Sequence, residues 1–436
     1  MFTQLRLKNF KAWKGEQVVD LASLSLFLGT NSAGKTSLLQ MLLLLKQTAE
    51  SPDRKQHLNL GGQPGDLLHL GSFKDLISGH DTKRELAFGL QFSSTSAHRK
   101  KPIEYDVSYC QAGGNPTVRS LAYSSGGLTF HLERQPKGAY QLEKADPSGM
   151  QKTAQVLRSK QYEPERSVAF PATAVAALGL DGVKVQDLAL DLVEALKGIV
   201  YLGPLRERPQ RTYFWNKQSP GDLGNKGEFA IQSLLASAND RAKPTQSGGR
   251  GWLVEKVSRW LKVLEVADGL SLEQQGSSVH YEVLVHQGRI KANLVDVGFG
   301  VSQVLPVVTL AYFVPEGSTV IIEQPEIHLH PLAQTALANL FVEVAKERRV
   351  QFLVETHSEN LFRRLQLLIA DEQLAPEDCR LYFVKRGTEN TTLQRLEVDE
   401  FGRIKNWPEK FFGDAIGEVE RQTRKMIGRM AKRQRS

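Results

Sequence analysis

Nine residues near the N-terminus, Gly29-Thr30-Asn31-Ser32-Ala33-Gly34-Lys35-Thr36-Ser37, set two glycines, a lysine and the Thr36 hydroxyl in the spacing G-x-x-x-x-G-K-[ST]. Glycines let successive backbone N–H groups turn inward around a phosphate, and the N-terminus of a following helix adds partial positive charge. In such a loop Lys35 bridges the β- and γ-phosphates of a nucleotide and the Thr36 hydroxyl coordinates Mg²⁺. The motif carries that meaning only between a strand and a helix. Both are expected here: Leu24–Leu28 is a short apolar run, and Leu38–Leu45 reads as a strongly apolar helix.

A buried strand ending in an acid should lie nearby. Thr319-Val320-Ile321-Ile322 has strand character and ends at Glu323, the candidate for holding the Mg²⁺ hydration shell. Glu326, His328 and His330 follow at short spacing and read either as the loop after that strand or as a metal cluster. Gly298, Gly300, Ser302 and Gln303 occupy a glycine turn before another helix, again a place that favours an anion. His357 follows a strand in Phe352-Leu353-Val354-Glu355-Thr356-His357-Ser358, placed to sense a γ-phosphate. Arg206, Arg208 and Arg211 follow Pro204 and suit either a phosphate or a solvated turn.

The elements that must position these groups are legible in outline. Leu5, Leu7 and Phe10 mark a first strand, and Val18 and Val19 a second. From about Glu85 to Leu142 the pattern has period two (Leu86, Phe88, Leu90; Tyr105, Val107, Tyr109; Leu128, Phe130, Leu132), with turn clusters at 93–102, 112–116, 124–127 and 135–138. That predicts an antiparallel sheet of hairpins. Helices are expected over Val185–Lys197 and Trp252–Leu264, with a polar loop at 239–251 between them, and strands at Gly269–Gln275 and Val279–His286. From Leu294 the pattern is α/β: helix Val301–Phe313, strand Thr319–Glu323, helix Pro331–Lys346, strand Gln351–Glu355, helix Ser358–Leu368 and strand Arg380–Lys385. No sustained heptad is present.

The 436 residues contain 41% hydrophobic and 24% charged side chains, which excludes a disordered chain. Two cysteines, Cys110 and Cys379, cannot form a disulfide framework, so a cytoplasmic location is expected. The first residues lack a signal-peptide core. Val297–Pro315 is uncharged but holds Ser302, Gln303 and Pro306, so it predicts a buried helix rather than a membrane span. The net charge of +8 is concentrated in the tail: Arg421–Ser436 carries seven Lys and Arg and no acid, and without them +1 remains. Such a tail suits DNA or another acidic partner, or simply a solvated end.

The order of phosphate loop, glycine turn, E-x-P-E-x-H-L-H-P and strand-T-H-S resembles the ABC-type ATPases of the OLD/RecF/SMC-related class, and within it the AAA-type ATP-binding proteins of bacterial anti-phage loci. Leu7-Lys8-Asn9-Phe10-Lys11 is similar to the opening strand of that class, whose basic residue, here Lys11, lies near the nucleotide. Leu70–Leu76, Tyr201–Arg206, Asn406-Trp407-Pro408 and Phe411-Phe412 are further family-like segments. The resemblance implies an α/β ABC-type P-loop head with an inserted antiparallel β subdomain and a helical subdomain. The expected divisions are 1–84, an N-terminal lobe with the phosphate loop; 85–200, the β insert and following helices; 201–290, a helical and β subdomain; 291–400, a C-terminal lobe; and 401–436, an extension with the basic tail.

It also implies a homodimer or higher oligomer that traps ATP and Mg²⁺ between subunits, the Gly298–Gln303 turn completing a partner's site and His357 acting as a switch. The missing heptads argue against a long coiled-coil arm. The 36 residues from Phe401 are too few for the nuclease module that OLD proteins carry, so a separate effector such as a nuclease is expected. One departure concerns the residue after Glu323. The family pattern has a carboxylate that polarises the attacking water, whereas Gln324 cannot take a proton. Loss of a general base costs about 10²–10⁴ in rate, so either Glu326 substitutes or hydrolysis is slow and ATP acts as a switch. A RecF-like DNA-repair clamp, a transporter ATPase and a nucleotide-gated scaffold without turnover are the competing readings; no clear L-S-G-G-Q supports the transporter.

Overall fold

The computed structural model describes residues 1–94, 101–145, 157–239, 250–387 and 390–408. The basic tail and Phe411-Phe412 lie outside the described residues, as do parts of the loops at 93–102 and 239–251.

Six strands form the sheet that carries the phosphate loop. In spatial order they are Ile199–Leu202, Thr319–Glu323, Gln351–Glu355, Leu24–Gly29, Cys379–Arg386 and Thr391–Leu396. The first five run parallel and the last pairs antiparallel at the edge. Parallel strands covered on both faces must be apolar on both, and Leu24–Leu28, Thr319–Glu323 and Gln351–Glu355 are buried at every position.

Alternation along these strands divides the core in two. Phe27, Ile321, Leu353, Tyr382 and Val384 belong to one layer, with the helix Lys35–Glu50 and an eight-stranded antiparallel sheet. That helix packs against both sheets, which explains why Leu38, Leu39 and Met41–Leu45 are all buried rather than confined to one stripe. The antiparallel sheet is continuous from Trp13–Asp20 and Phe2–Phe10 through Leu86–Phe92, Ile103–Ala112, Asn115–Ser125, Leu128–Arg134 and Tyr140–Ala145 to Leu157–Ser159.

Leu24, Leu26, Val320, Ile322, Phe352 and Val354 face the other layer, built from helices Ala230–Ala238, Trp252–Val263, Phe299–Phe313, Pro331–Arg348 and Glu359–Ala370. Four short strands, Tyr213–Phe214, Gly269–Gln274, His280–Gln287 and Ile290–Asn293, make a small antiparallel sheet beside these helices. The uncharged run forms helix Phe299–Phe313, buried along most of its length. Among the described residues, no helix is long and apolar enough to cross a membrane.

At the mouth of the phosphate-loop strand the backbone itself is the constraint. Gly29 has φ of +144°, and a Cβ there would lie 2.0 Å from the Val384 carbonyl oxygen. Gly29→Ala is therefore expected to lower stability by roughly 3 kcal/mol, seen as a lower urea midpoint with an unchanged slope. An unchanged midpoint would mean that the neighbouring strand yields freely.

Candidate functional site

Parallel pairing brings the ends of three strands to one edge of the sheet. Glu323 and Glu355 are register partners, and Glu355 in turn pairs with Phe27, two residues before Gly29. This carboxyl-terminal edge is where open α/β sheets bind ligands.

The loop after Gly29 is braced from both sides. The Trp13 indole donates to the Gly34 carbonyl at 3.1 Å, and the Thr391 hydroxyl donates to the Ala33 carbonyl at 3.0 Å. Ser32 and Gly34 adopt positive φ, and helix Lys35–Glu50 begins immediately after the turn. The amides of a helix's first turn are where an anion binds, and here that of Ser37 donates to the Gly34 carbonyl at 3.1 Å. Lys11, at the N-terminal hairpin turn, is bound to Gln40 on this same helix. Burial holds its ammonium below the ordinary lysine range. Its ammonium is thus held by the helix that follows the loop.

Lys35 is buried, and its ammonium donates to the Gly29 and Thr30 carbonyls at 3.2 and 2.9 Å. Its pKa is lowered by burial, an effect opposed by Glu355, Glu326 and Glu323. The Thr36 hydroxyl donates to Glu355 Oε2 at 2.7 Å, while Glu355 Oε1 lies 3.8 Å from the Lys35 ammonium. Glu323 Oε1 accepts from the Tyr201 hydroxyl at 2.8 Å, and its backbone carbonyl accepts from Arg206 at 3.1 Å. Burial, reinforced by the charge of Glu355, pushes the Glu323 carboxyl up to about 7. Glu355 is raised by burial as well.

The loop after Glu323 turns sharply. Gln324 has φ of +49° and donates its backbone N–H to the Glu355 carbonyl at 2.7 Å, extending the ladder by one residue. Glu326 is buried; Oε1 accepts from the His357 backbone N–H at 2.7 Å, and Oε2 has no protein partner. Burial raises its pKa. His328 and His330 are exposed instead: His328 packs its ring beside Phe299, and His330 caps helix Pro331–Arg348. The structure therefore separates Glu326, His328 and His330, and among the described residues no three His, Cys, Asp or Glu form a group suited to a metal. The exposed His357 ring is held below its ordinary pKa by the atoms around it and then by Lys35, against a hydrogen bond to the Gly29 backbone.

Gly298 precedes helix Phe299–Phe313, Gly300 lies against the His328 carbonyl, and the Ser302 hydroxyl bonds back to the Phe299 carbonyl at 2.9 Å. Gln303 lies one residue further along this helix, and Phe299 stays exposed. The three arginines do not act as a cluster. Arg206 is buried beneath Glu323 with two nitrogens unpaired, and burial pushes its pKa down to about 10. Arg211 instead grips Asp296 with two hydrogen bonds of 3.0 and 2.7 Å, and Arg208 is exposed.

Glu355 was not among the residues expected to carry chemistry, although it ends an apolar strand just as Glu323 does. Tyr201 was visible only as part of a family-like segment. The donors at this edge, carboxylate and hydroxyl oxygens with one buried carboxylate oxygen unsatisfied, are the hard ligands that suit Mg²⁺.

A phosphate loop at the carboxyl edge of a parallel sheet, beside buried acids and an added antiparallel sheet, defines an α/β fold of the P-loop kind. The chain matches the AAA ATPase domain family over residues 1–104. Residues 193–363 match an AAA domain family whose description names the AbiEii toxin and type IV TA systems. Residues 374–422 match a family described as a protein of unknown function. No curated protein matches by sequence. Among solved structures, the SMC head bound to the C-winged helix domain of ScpA is 13% identical with a TM-score of 0.46, covering 92% of this chain and 98% of that one. The SMC head domain from Thermotoga maritima is 12% identical with a TM-score of 0.40, covering 91% and 99%.

The raised Glu323 gives a signed pH dependence. Its contribution to stability is present below the unfolded value of 4.5 and is lost as pH climbs through about 7. Glu323→Gln is therefore expected to stabilise the nucleotide-free protein by about 2–3 kcal/mol more at pH 8 than at pH 4.5, measured by urea unfolding at both. An equal effect at the two pH values would refute the burial of an ionised Glu323.

Proposed function

We propose that this chain binds ATP with Mg²⁺ and hydrolyses it slowly, closing as a homodimer or higher oligomer around the nucleotide and thereby controlling a separate effector, a nuclease, in bacterial anti-phage defence. The observation that carries the ATPase reading is the convergence of Lys35 and Thr36 with Glu323 and Glu355 at one edge. Mg²⁺, when bound, supplies charge neutralisation on the triphosphate; Thr36 and Glu323 would hold it.

In this reading Lys35 leaves the Gly29 and Thr30 carbonyls to bind the β- and γ-phosphates, and the amides of Asn31–Ser37 surround the phosphate chain. Glu326 Oε2 takes a proton from the attacking water in place of Gln324. Its unpaired oxygen and its raised pKa support that role. The helix start Gly298–Gln303 completes the site of a partner subunit, a role supported by the exposed Phe299 in it, and His357 senses the γ-phosphate. The defence role draws support from the sequence resemblance and from the toxin named for the family matched at 193–363. A second reading, a RecF-like DNA-binding clamp, is favoured by the seven unopposed basic residues of the tail.

Steady-state phosphate release tests the chemistry. Lys35→Ala should abolish it, Glu326→Gln should lower it about 10²-fold or more, and Gln324→Glu should raise it. An undiminished rate in Glu326→Gln removes Glu326 from the mechanism. Light scattering tests assembly: ATP should shift wild type to a dimer, and Ser302→Arg should prevent the shift.

A further inference from the structure

Position 324 leaves the sheet edge one carboxylate short, and position 355 supplies one from the adjoining strand. We propose that Glu355 is an oxygen ligand of the divalent cation that accompanies the nucleotide, sharing it with Thr36 and Glu323. This rests on the ATP-binding reading and adds a residue to it.

Placement is the first argument. Glu355 is the direct register partner of Glu323, so the two side chains leave the sheet at the same level. Contact is the second. Glu355 Oε2 lies 2.7 Å from Thr36 Oγ1. Neighbouring ligands of an octahedral Mg²⁺ with bonds of about 2.1 Å are ~3.0 Å apart. The hydrogen bond thus holds the two oxygens side by side, close to the separation that adjacent ligands of one ion adopt. Glu326 is left out of the set because the proposed function gives its free Oε2 to the attacking water, its Oε1 being held by the His357 backbone.

The third argument is charge. Glu355 has a side chain only 6% exposed, and the cation near it is Lys35 at 3.8 Å. Once Lys35 turns to the phosphates, that carboxylate needs another positive partner, and a buried charge without one is costly. Mg²⁺ commonly takes one or two carboxylates and completes its shell with substrate phosphates and water. Glu323, Glu355 and Thr36 match that donor count without a third acid. The competing role is purely structural: Glu355 would only accept the Thr36 hydrogen bond. An amide oxygen performs that task as well, which lets one substitution separate the two.

Mn²⁺ is the probe. It is titrated into the full chain with a non-hydrolysable ATP analogue, and the free ion is read by electron paramagnetic resonance. Glu355→Gln should weaken Mn²⁺ binding about 10–100-fold, taken relative to the same variant's own affinity for a fluorescent ATP analogue in EDTA. Mn²⁺ affinity equal to wild type in Glu355→Gln would overturn the assignment and leave Glu355 as a positioning residue for Thr36. Should that variant not fold, Glu355→Asp carries the comparison: withdrawing the carboxylate by one methylene should weaken Mn²⁺, and unchanged affinity overturns the proposal. Failure of wild type to bind the fluorescent analogue would instead remove the ATP-binding reading itself.

Discussion

Parallel register is the constraint on which the rest of this structure depends. Glu323 and Glu355 meet the phosphate loop because Thr319–Glu323, Gln351–Glu355 and Leu24–Gly29 pair in phase. A slip of one residue would turn every side chain to the opposite face. It would move Ile321 and Leu353 out of the layer that holds the helix Lys35–Glu50 and break both halves of the core. The apolar residues therefore fix the position of the acids. The acids themselves oppose folding: Glu323, Glu326 and Glu355 are all pushed towards protonation by burial. Core packing on both sides of the sheet sustains a cluster that would not assemble by its own electrostatics.

The same edge shows how a charged loop is kept in shape before its ligand arrives. Lys35 bonds the carbonyls of its own loop, Thr36 bonds Glu355, and Tyr201 bonds Glu323. Each bond satisfies a buried polar group that would otherwise be costly. Arg206, beneath Glu323, adds positive charge that the sheet edge lacks. Polar satisfaction is incomplete only at Glu326 Oε2 and two Arg206 nitrogens within this cluster. Buried atoms of that kind are uncommon in folded proteins and tend to mark places where water, an ion or a reactant completes the arrangement.

Much of this was legible in the sequence because it depends on local pattern. Thr319–Glu323 and Gln351–Glu355 have the expected ends, since short apolar runs bounded by an acid and by turn residues leave little freedom. The phosphate loop is a fixed spacing and needs no tertiary information. Helix Ala230–Ala238 and strand Ile199–Leu202 were not anticipated, and strands Asn115–Ser125 and Tyr140–Ala145 fall in the expected hairpin region without having been named in it. The first two are short, and Asn115–Ser125 contains Pro116, Arg119 and several serines that read as turn chemistry. Glu355 escaped for a different reason. Its significance comes from its register partner and from Thr36, 319 residues away, and sequence spacing cannot report either.

The pairing of Gln324 with Glu355 carries a mechanistic consequence. A carboxylate at 324 would follow Glu323 in a tight turn whose backbone already occupies the left-handed region, with its amide held by the Glu355 carbonyl. Adding a negative charge there would bring a fourth acid to an edge where three are already raised by burial, with Lys35 and Arg206 as the buried cations beside them. Like charges in one low-dielectric volume cannot all remain ionised. The neutral amide at 324 is thus consistent with a site that has moved its second carboxylate to the neighbouring strand, where it can contact Thr36. Such an exchange keeps the charge needed to hold a cation while giving up a base at the usual place.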